Sequence, residues 1–504
     1  MLVSPRWLVV AVSAAACARA QLVQPHANAV ADFLTQASAV PQDNLLGSDR
    51  EELVDGAGPA PGAPRITSPS LCDPNVTQHA GYVEAAPGVE YFFWMFESRR
   101  DPKADPLILW LSGGPGCSSQ IALLVENGPC TVNEDGQGTT LNPWSWTKHA
   151  NVIWVDQPAS TGFSTGPILL NNTETIVAER MYRFLQNLYQ ALPQYKGNRL
   201  FVFGESYGGH YVPAIGHYLW QQAKKTPSSE FKIPLKGLGI GNGMTEPEVQ
   251  FATFEEMARD GGRSKGGSLQ QEYLPRVDEL TLKQMSSETQ ACIDAIRRCQ
   301  VQPAGSDTCT MAYLSCVGSL IAPYTETGYN VYDMRKKCEV KGGLCYNFTR
   351  EQIFMNNVAT QQQLGVEMPW ETCNMEVNMG FLQFDWMRNY QGLIPDLLAD
   401  GIEVLIYAGD VDYICNWLGN KRWTLALEWP HKDDFNAADD RPLVIDGEND
   451  GRVRSAAGLH FVQMYQAGHM VPKDKPKQAF QLVDEFLSGG LTSVGREATD
   501  ILFP

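Results

Sequence analysis

The pentapeptide Gly204-Glu205-Ser206-Tyr207-Gly208 fits G-x-S-x-G, a tight turn that holds a serine hydroxyl clear of the backbone, with small neighbours that avoid collision. Such a serine attacks a carbonyl only when a base takes its proton, and the base needs a carboxylate to orient it, in the chain order Ser, acid, His. Among the histidines that follow, His217 falls inside the helix predicted after the turn, His431 in a polar stretch and His460 at the start of a strand. His469 lies in a loop just past a strand and is the predicted base. For the acid, the strand predicted at 403–407 runs into Ala408-Gly409-Asp410-Val411-Asp412, and the pattern leaves Asp410 and Asp412 equal. The oxyanion of an acyl-transfer intermediate needs two backbone donors. Tyr207, after the nucleophile, supplies one, and the loop Gly113-Gly114-Pro115-Gly116 the other.

These residues need a scaffold that delivers them to one edge. Apolar runs predict strands at 91–96, 107–111, 151–155 and 200–203, the second and fourth ending in the glycine turns just named. Ile176, Met181, Phe184, Leu185 and Leu188 recur at helical spacing over 174–192, and a further helix is predicted over 211–220. Strands alternating with helices predict an α/β fold with a mostly parallel central sheet and helices on both faces. From 245 to 356 the chain turns polar and cysteine-rich, which predicts an inserted, disulfide-rich helical cap, and strands resume at 403–407 and 461–465. The expected organisation is a leader at 1–20, a propeptide or linker at 21–70, the first part of the catalytic domain at 71–244, the cap at 245–356 and the second part at 357–504.

The chain has 504 residues, a formal charge of -18 and a pI near 4.9. Nucleic acid and anionic membrane are therefore excluded as partners, since both would be repelled. Arg6, the apolar stretch 7–16 and Ala18-Arg19-Ala20 have the layout of a cleaved secretory leader, so no membrane attachment is expected after its removal. Acceptor patterns for N-glycosylation begin at Asn75, Asn171 and Asn347. The expected compartments are the secretory pathway and then a vacuole, a lysosome or the extracellular space. Loss of Cys17 with the leader leaves an odd number of cysteines, which predicts one free thiol in an oxidising lumen. Cysteine and histidine spacings do not suit zinc, and no metal or cofactor is expected. Oligomeric state is not readable from the sequence.

Beyond the elbow, the chain resembles the serine carboxypeptidase family (peptidase family S10), most closely its vacuolar carboxypeptidase Y type, an α/β-hydrolase fold. The resemblance runs from about residue 73 to the C-terminus. It rests on Asp73-Pro74-Asn75-Val76-Thr77-Gln78, residues 110–119, residues 204–213, Ile240-Gly241-Asn242-Gly243, Asn330-Val331-Tyr332-Asp333, residues 409–420 and Gly468-His469-Met470-Val471-Pro472. It implies release of single amino acids from peptide or protein C-termini, with Ser206, Asp412 and His469 as the triad and Gly114 and Tyr207 as oxyanion donors. It implies that Trp110, Ser112, Gly113, Glu126 and Glu205 hold the substrate carboxylate, with Met470 and Cys415 nearby. Ser112 departs from the asparagine common in the family, and its hydroxyl offers a single donor. Two ionised carboxyls would repel a carboxylate, so Glu126 or Glu205 is expected to be protonated and activity to be acidic. The resemblance implies the disulfides Cys117–Cys373, Cys292–Cys316, Cys299–Cys309 and Cys338–Cys345. Cys72 and Cys130 then remain as a pair, with Cys415 as the odd thiol. Related acyltransferases, and non-catalytic binding proteins on the same fold, are the alternative classes.

Overall fold

A computed structural model describes residues 63–262, 276–338, 340 and 344–492. The predicted leader, residues 21–62 of the predicted linker and residues 263–275, 339 and 341–343 of the predicted cap lie outside the described residues. In chain order the strands are β1 (Arg65–Thr67), β2 (Gln78–Ala86), β3 (Val89–Phe96), β4 (Leu107–Leu111), β5 (Cys130–Val132), β6 (Thr139–Leu141), β7 (Asn151–Val155) and β8 (Leu200–Ser206). They continue with β9 (Leu235–Gly243), β10 (Tyr329–Asn330), β11 (Asp333–Lys337), β12 (Glu403–Gly409), β13 (Arg441–Ile445), β14 (Glu448–Ala456) and β15 (Leu459–Met464). One sheet runs β1-β2-β3-β7-β4-β8-β9-β12-β15-β14-β13, while β5 pairs with β6 and β10 with β11. The six middle strands, β7 to β15, are parallel, and the flanking strands at both edges are antiparallel. β1 lies within the stretch predicted as linker and pairs with β2.

Alternation along the strands divides two apolar cores. Leu107, Leu109 and Leu111 face one, Ile108 and Trp110 the other, and Leu200, Val202, Phe201 and Phe203 divide in the same way. The helices Glu174–Ala191 and Gly208–Lys225 cover the first face, through Met181, Phe184, Leu185, Tyr211, Val212 and Ile215. Gln120–Val125 and Pro476–Ser488 cover the second, through Leu123, Leu124, Phe480 and Phe486. The sheet therefore has helices on both faces, as the alternation of elements predicts.

The central strand β9 is not apparent in the sequence because its glycines hide the alternation. A Cβ on Gly237 would lie 2.8 Å from the ring of Phe201, and one on Gly239 or Gly241 would collide with the rings of Phe203 or Tyr407. The neighbouring strands' aromatic side chains fill the space above β9, so its own side must be bare.

Between β9 and β12 the chain leaves the sheet. Helices Glu279–Gln300 and Asp307–Cys316 are joined by Cys292–Cys316 and Cys299–Cys309, and Leu282, Met285, Ile293 and Ile296 extend the first core. The β10–β11 hairpin follows, with Cys338–Cys345 just beyond it. Cys117–Cys373 ties the loop after β4 to residues 256 positions away, and Cys72–Cys130 holds the N-terminal segment to β5. No helix among the described residues is long and apolar enough to cross a membrane.

Candidate active site

β8 carries directly into Ser206, which sits at φ 62°, and the chain then enters the helix Gly208–Lys225. A serine in this left-handed conformation is strained, and its position between a strand and a helix is that of a nucleophile elbow. β4 lies beside β8, so the loop after Leu111 emerges against this turn. A Cβ on Gly113 would collide with the Tyr207 amide nitrogen and lie 2.7 Å from the Glu205 carbonyl oxygen. Gly114 follows at φ 111°. Only glycines permit this approach, which brings the loop backbone against the Tyr207 N–H as a two-donor oxyanion site requires.

Buried groups fix that loop from below. The Gly113 carbonyl accepts from the Cys117 amide at 3.0 Å, and Ser112 N donates to Ser119 Oγ at 3.0 Å. Asp156 Oδ1 accepts from Ser118 Oγ at 2.6 Å and Ser119 N at 3.0 Å, and its Oδ2 from Phe163 N at 3.0 Å. Complete burial nevertheless raises the Asp156 carboxyl to about 6.

Asp412 and His469, the expected acid and base, follow the C-terminal ends of the neighbouring parallel strands β12 and β15. His469 Nδ1 is 2.8 Å from Asp412 Oδ2, both residues being buried. Asn242 Nδ2 donates to that oxygen at 2.8 Å, Ile414 N donates to Oδ1 at 3.2 Å, and Asn242 Oδ1 accepts from Gly409 N at 3.1 Å. Asn242, at the end of β9, thus spans the gap between strands and aims the carboxylate. Asp410 turns away: its Oδ1 accepts from Gln466 N at 2.8 Å, closing the loop before His469. His217, His431 and His460 find other partners, Asp396 at 3.0 Å, Asp434 at 2.8 Å and Ser455 at 2.9 Å. His210 also follows the nucleophile in the chain, and order alone leaves it eligible. Its Nδ1 faces the Met244 carbonyl at 2.6 Å, its ring stacks on Tyr207, and burial pushes it down to about 4.

Beside the elbow, Glu126 and Glu205 are buried and hydrogen-bonded to each other. Burial raises Glu126 to about 7, opposed by the hydrogen bond from Glu205; burial and then the Glu126 charge drive Glu205 well above the carboxylate range. Burial holds both carboxyls protonated at acidic pH, and Oε2 of each has no protein hydrogen-bond partner. Glu126 feels the charge of His469, and Glu205 that of Asp412. Trp110 Nε1 donates to Ser112 Oγ at 3.2 Å, which leaves the serine proton available to donate. Free, buried Cys415 reaches Ser206 with its side chain, and burial pushes its thiol well up. Met470 is buried next to His469.

Three residues beside these were not assigned roles from the sequence. The Tyr332 ring lies 5.0 Å from that of His469, Tyr346 lies 5.5 Å from Tyr332, and Lys473 Nζ lies 4.8 Å from the Tyr346 ring centre. A single tyrosine or lysine outside any repeated pattern carries no signal that could have announced them. Asn75, Asn171 and Asn347 are exposed. Among the described residues no group of three or more His, Cys, Asp and Glu could hold a metal ion.

Residues 64–489 match the family model described as serine carboxypeptidase. "Carboxypeptidase Y homolog A" of Sclerotinia sclerotiorum is 37% identical over 431 residues, 84% of this chain and 76% of the relative. "Serine carboxypeptidase-like 48" of Arabidopsis thaliana is 37% identical over 464 residues, covering 90% and 86%. The crystal structure of Kex1(delta)p, a prohormone-processing carboxypeptidase from Saccharomyces cerevisiae, superposes with a TM-score of 0.72 at 25% identity, covering 84% of this chain and 94% of that one.

Proposed function

The chain belongs to the serine carboxypeptidase family, and from that premise we propose that it removes single C-terminal residues from peptides through an acyl-enzyme on Ser206, at acidic pH. It is a serine-type carboxypeptidase on an α/β-hydrolase fold. Ser206 Oγ attacks the last peptide carbonyl as His469 takes its proton, with Asp412 orienting the imidazole. The Gly114 and Tyr207 amides receive the oxyanion. The proton then passes from His469 to the departing amine, and water, activated by the same histidine, cleaves the ester. Single-residue release follows from a terminal carboxylate seated against Glu126, Glu205, Ser112 and Trp110.

The observation that carries this reading is the hydrogen-bonded Glu126–Glu205 pair beside the elbow. A general esterase has no use for two buried protonated carboxyls, whereas a substrate carboxylate accepts from the carboxyl proton that the hydrogen bond between the two glutamates leaves free. The leader-like residues 1–20 and the three exposed acceptor asparagines support passage through the secretory pathway to a vacuole, a lysosome or the outside. The test offers benzyloxycarbonyl-Phe-Leu and its C-terminal amide to wild type and Ser206→Ala. Free leucine from the acid, at least a hundredfold slower turnover of the amide, and loss of both activities in the variant are expected, from roughly 3 kcal/mol of carboxylate binding. Equal turnover of acid and amide would remove the role of the glutamate pair.

A further inference from the structure

Lys473 stands in the short helix Val471–Asp474, just after His469. Its ammonium lies over Tyr346, whose ring reaches His469 through Tyr332, and its charge is felt by Glu126. The residue is exposed, and among the described residues no carboxylate forms an ion pair with it. The other carboxylates in its field have partners of their own. Asp474 faces Arg335 at 3.0 Å and Lys336 at 3.9 Å, Glu351 faces Arg350 at 2.8 Å, and Glu126 is hydrogen-bonded to Glu205. Lys473 is thus a cation with no ion-pair partner among the described residues, within electrostatic reach of Glu126, in a protein of net charge -18.

We propose that Lys473 makes the enzyme select peptides ending in aspartate or glutamate: its ammonium receives the side-chain carboxylate of the departing residue while the main-chain carboxylate goes to Glu126 and Glu205. This rests on the carboxypeptidase reading of that pair. A charge-assisted hydrogen bond distinguishes an acidic side chain from its neutral amide, because the amide leaves the ammonium without a counter-charge. A basic side chain is repelled outright.

The experiment compares benzyloxycarbonyl-Phe-Glu, -Phe-Gln and -Phe-Lys at about pH 5, where a glutamate side chain is largely ionised. Wild type is expected to favour Glu over Gln about tenfold in kcat/KM. Lys473→Met should bring that ratio near one, and Lys473→Glu should favour Lys. Each ratio is taken within one preparation, so a misfolded fraction cancels. Equal use of Glu and Gln by wild type, or a ratio unchanged in Lys473→Met, overturns the proposal. So does a uniform loss on all three substrates, which would assign Lys473 to the main-chain carboxylate or to packing. The same preparations are assayed on Phe-Leu and its amide, so that failure of the glutamate-pair reading is seen separately from failure of the lysine.

Discussion

Two buried carboxyls accommodate a substrate carboxylate only while both stay protonated. Glu126 ionises near 7 and Glu205 higher, so the site should lose its substrate grip as pH rises through Glu126, not as it falls. KM for benzyloxycarbonyl-Phe-Leu is expected to be flat below about pH 6 and to climb about tenfold per unit well above 7, with kcat less affected. Steady-state kinetics across pH 5 to about 8.5 checks this, and a flat KM over the whole range would contradict it. Much of this chemistry was legible residue by residue. Ser206 follows from a strand ending in a turn of the right composition, and His469 from its place in a loop just past a strand. The choice between Asp410 and Asp412 does not, because both leave one loop and their directions depend on partners far away: Gln466 N for Asp410, and His469 with Asn242 for Asp412. The resemblance chose Asp412 for the triad, and it is Asp412 that faces His469.

At the scale of elements, the β10–β11 hairpin grips the two catalytic loops together. The Tyr332 carbonyl accepts from His469 N at 2.8 Å, and the Val331 carbonyl accepts from Tyr413 N and Ile414 N, each at 3.0 Å. Met334 N donates to the Val411 carbonyl at 2.8 Å. Arg335 completes the clamp, donating to the Gln466 carbonyl at 2.9 Å and to Asp474 Oδ2 at 3.0 Å, while Asp474 Oδ2 accepts from Gly468 N at 2.7 Å. Arg335→Gln should loosen the histidine loop and lower kcat about ten- to a hundredfold with little change in KM, since small misplacements of a base are costly. A KM effect with kcat intact would assign Arg335 to substrate binding. This element was not legible. Its strands are short, and its alternation is interrupted by charges whose partners lie in other loops. The parallel strands 107–111 and 151–155 were legible, because they are buried on both faces and read as continuous apolar runs.

For the whole molecule, buried titratable groups set the pH range of stability. Among the described residues burial raises seven carboxyls: Asp156 and Asp385 to about 6, Glu126 and Glu246 to about 7, Glu174 and Glu205 further, and Glu485 above its ordinary value. Each holds its proton when folded, and its contribution is complete below the unfolded carboxyl range and lost as pH rises through the folded value. Three imidazoles, His79, His210 and His460, are pushed down and act in the opposite sense, losing stability as pH falls below about 6.5. Between about pH 4.5 and 6 the folded chain binds more protons than the unfolded, so Tm should be higher at about pH 5 than at 7.5. The net charge of -18 adds self-repulsion at neutrality in the same direction. Calorimetry at both values decides it, and a higher Tm at 7.5 would contradict it. The hairpin clamp also bears on how such enzymes diversify. Because the segment at 245–356, proposed as the cap, includes strands that fasten the acid and the base, it is not an interchangeable module. A chimera that imports another enzyme's whole insert inherits a foreign grip on Asp412 and His469, whereas recombination that leaves 329–337 in place can vary the rest of the insert with turnover preserved.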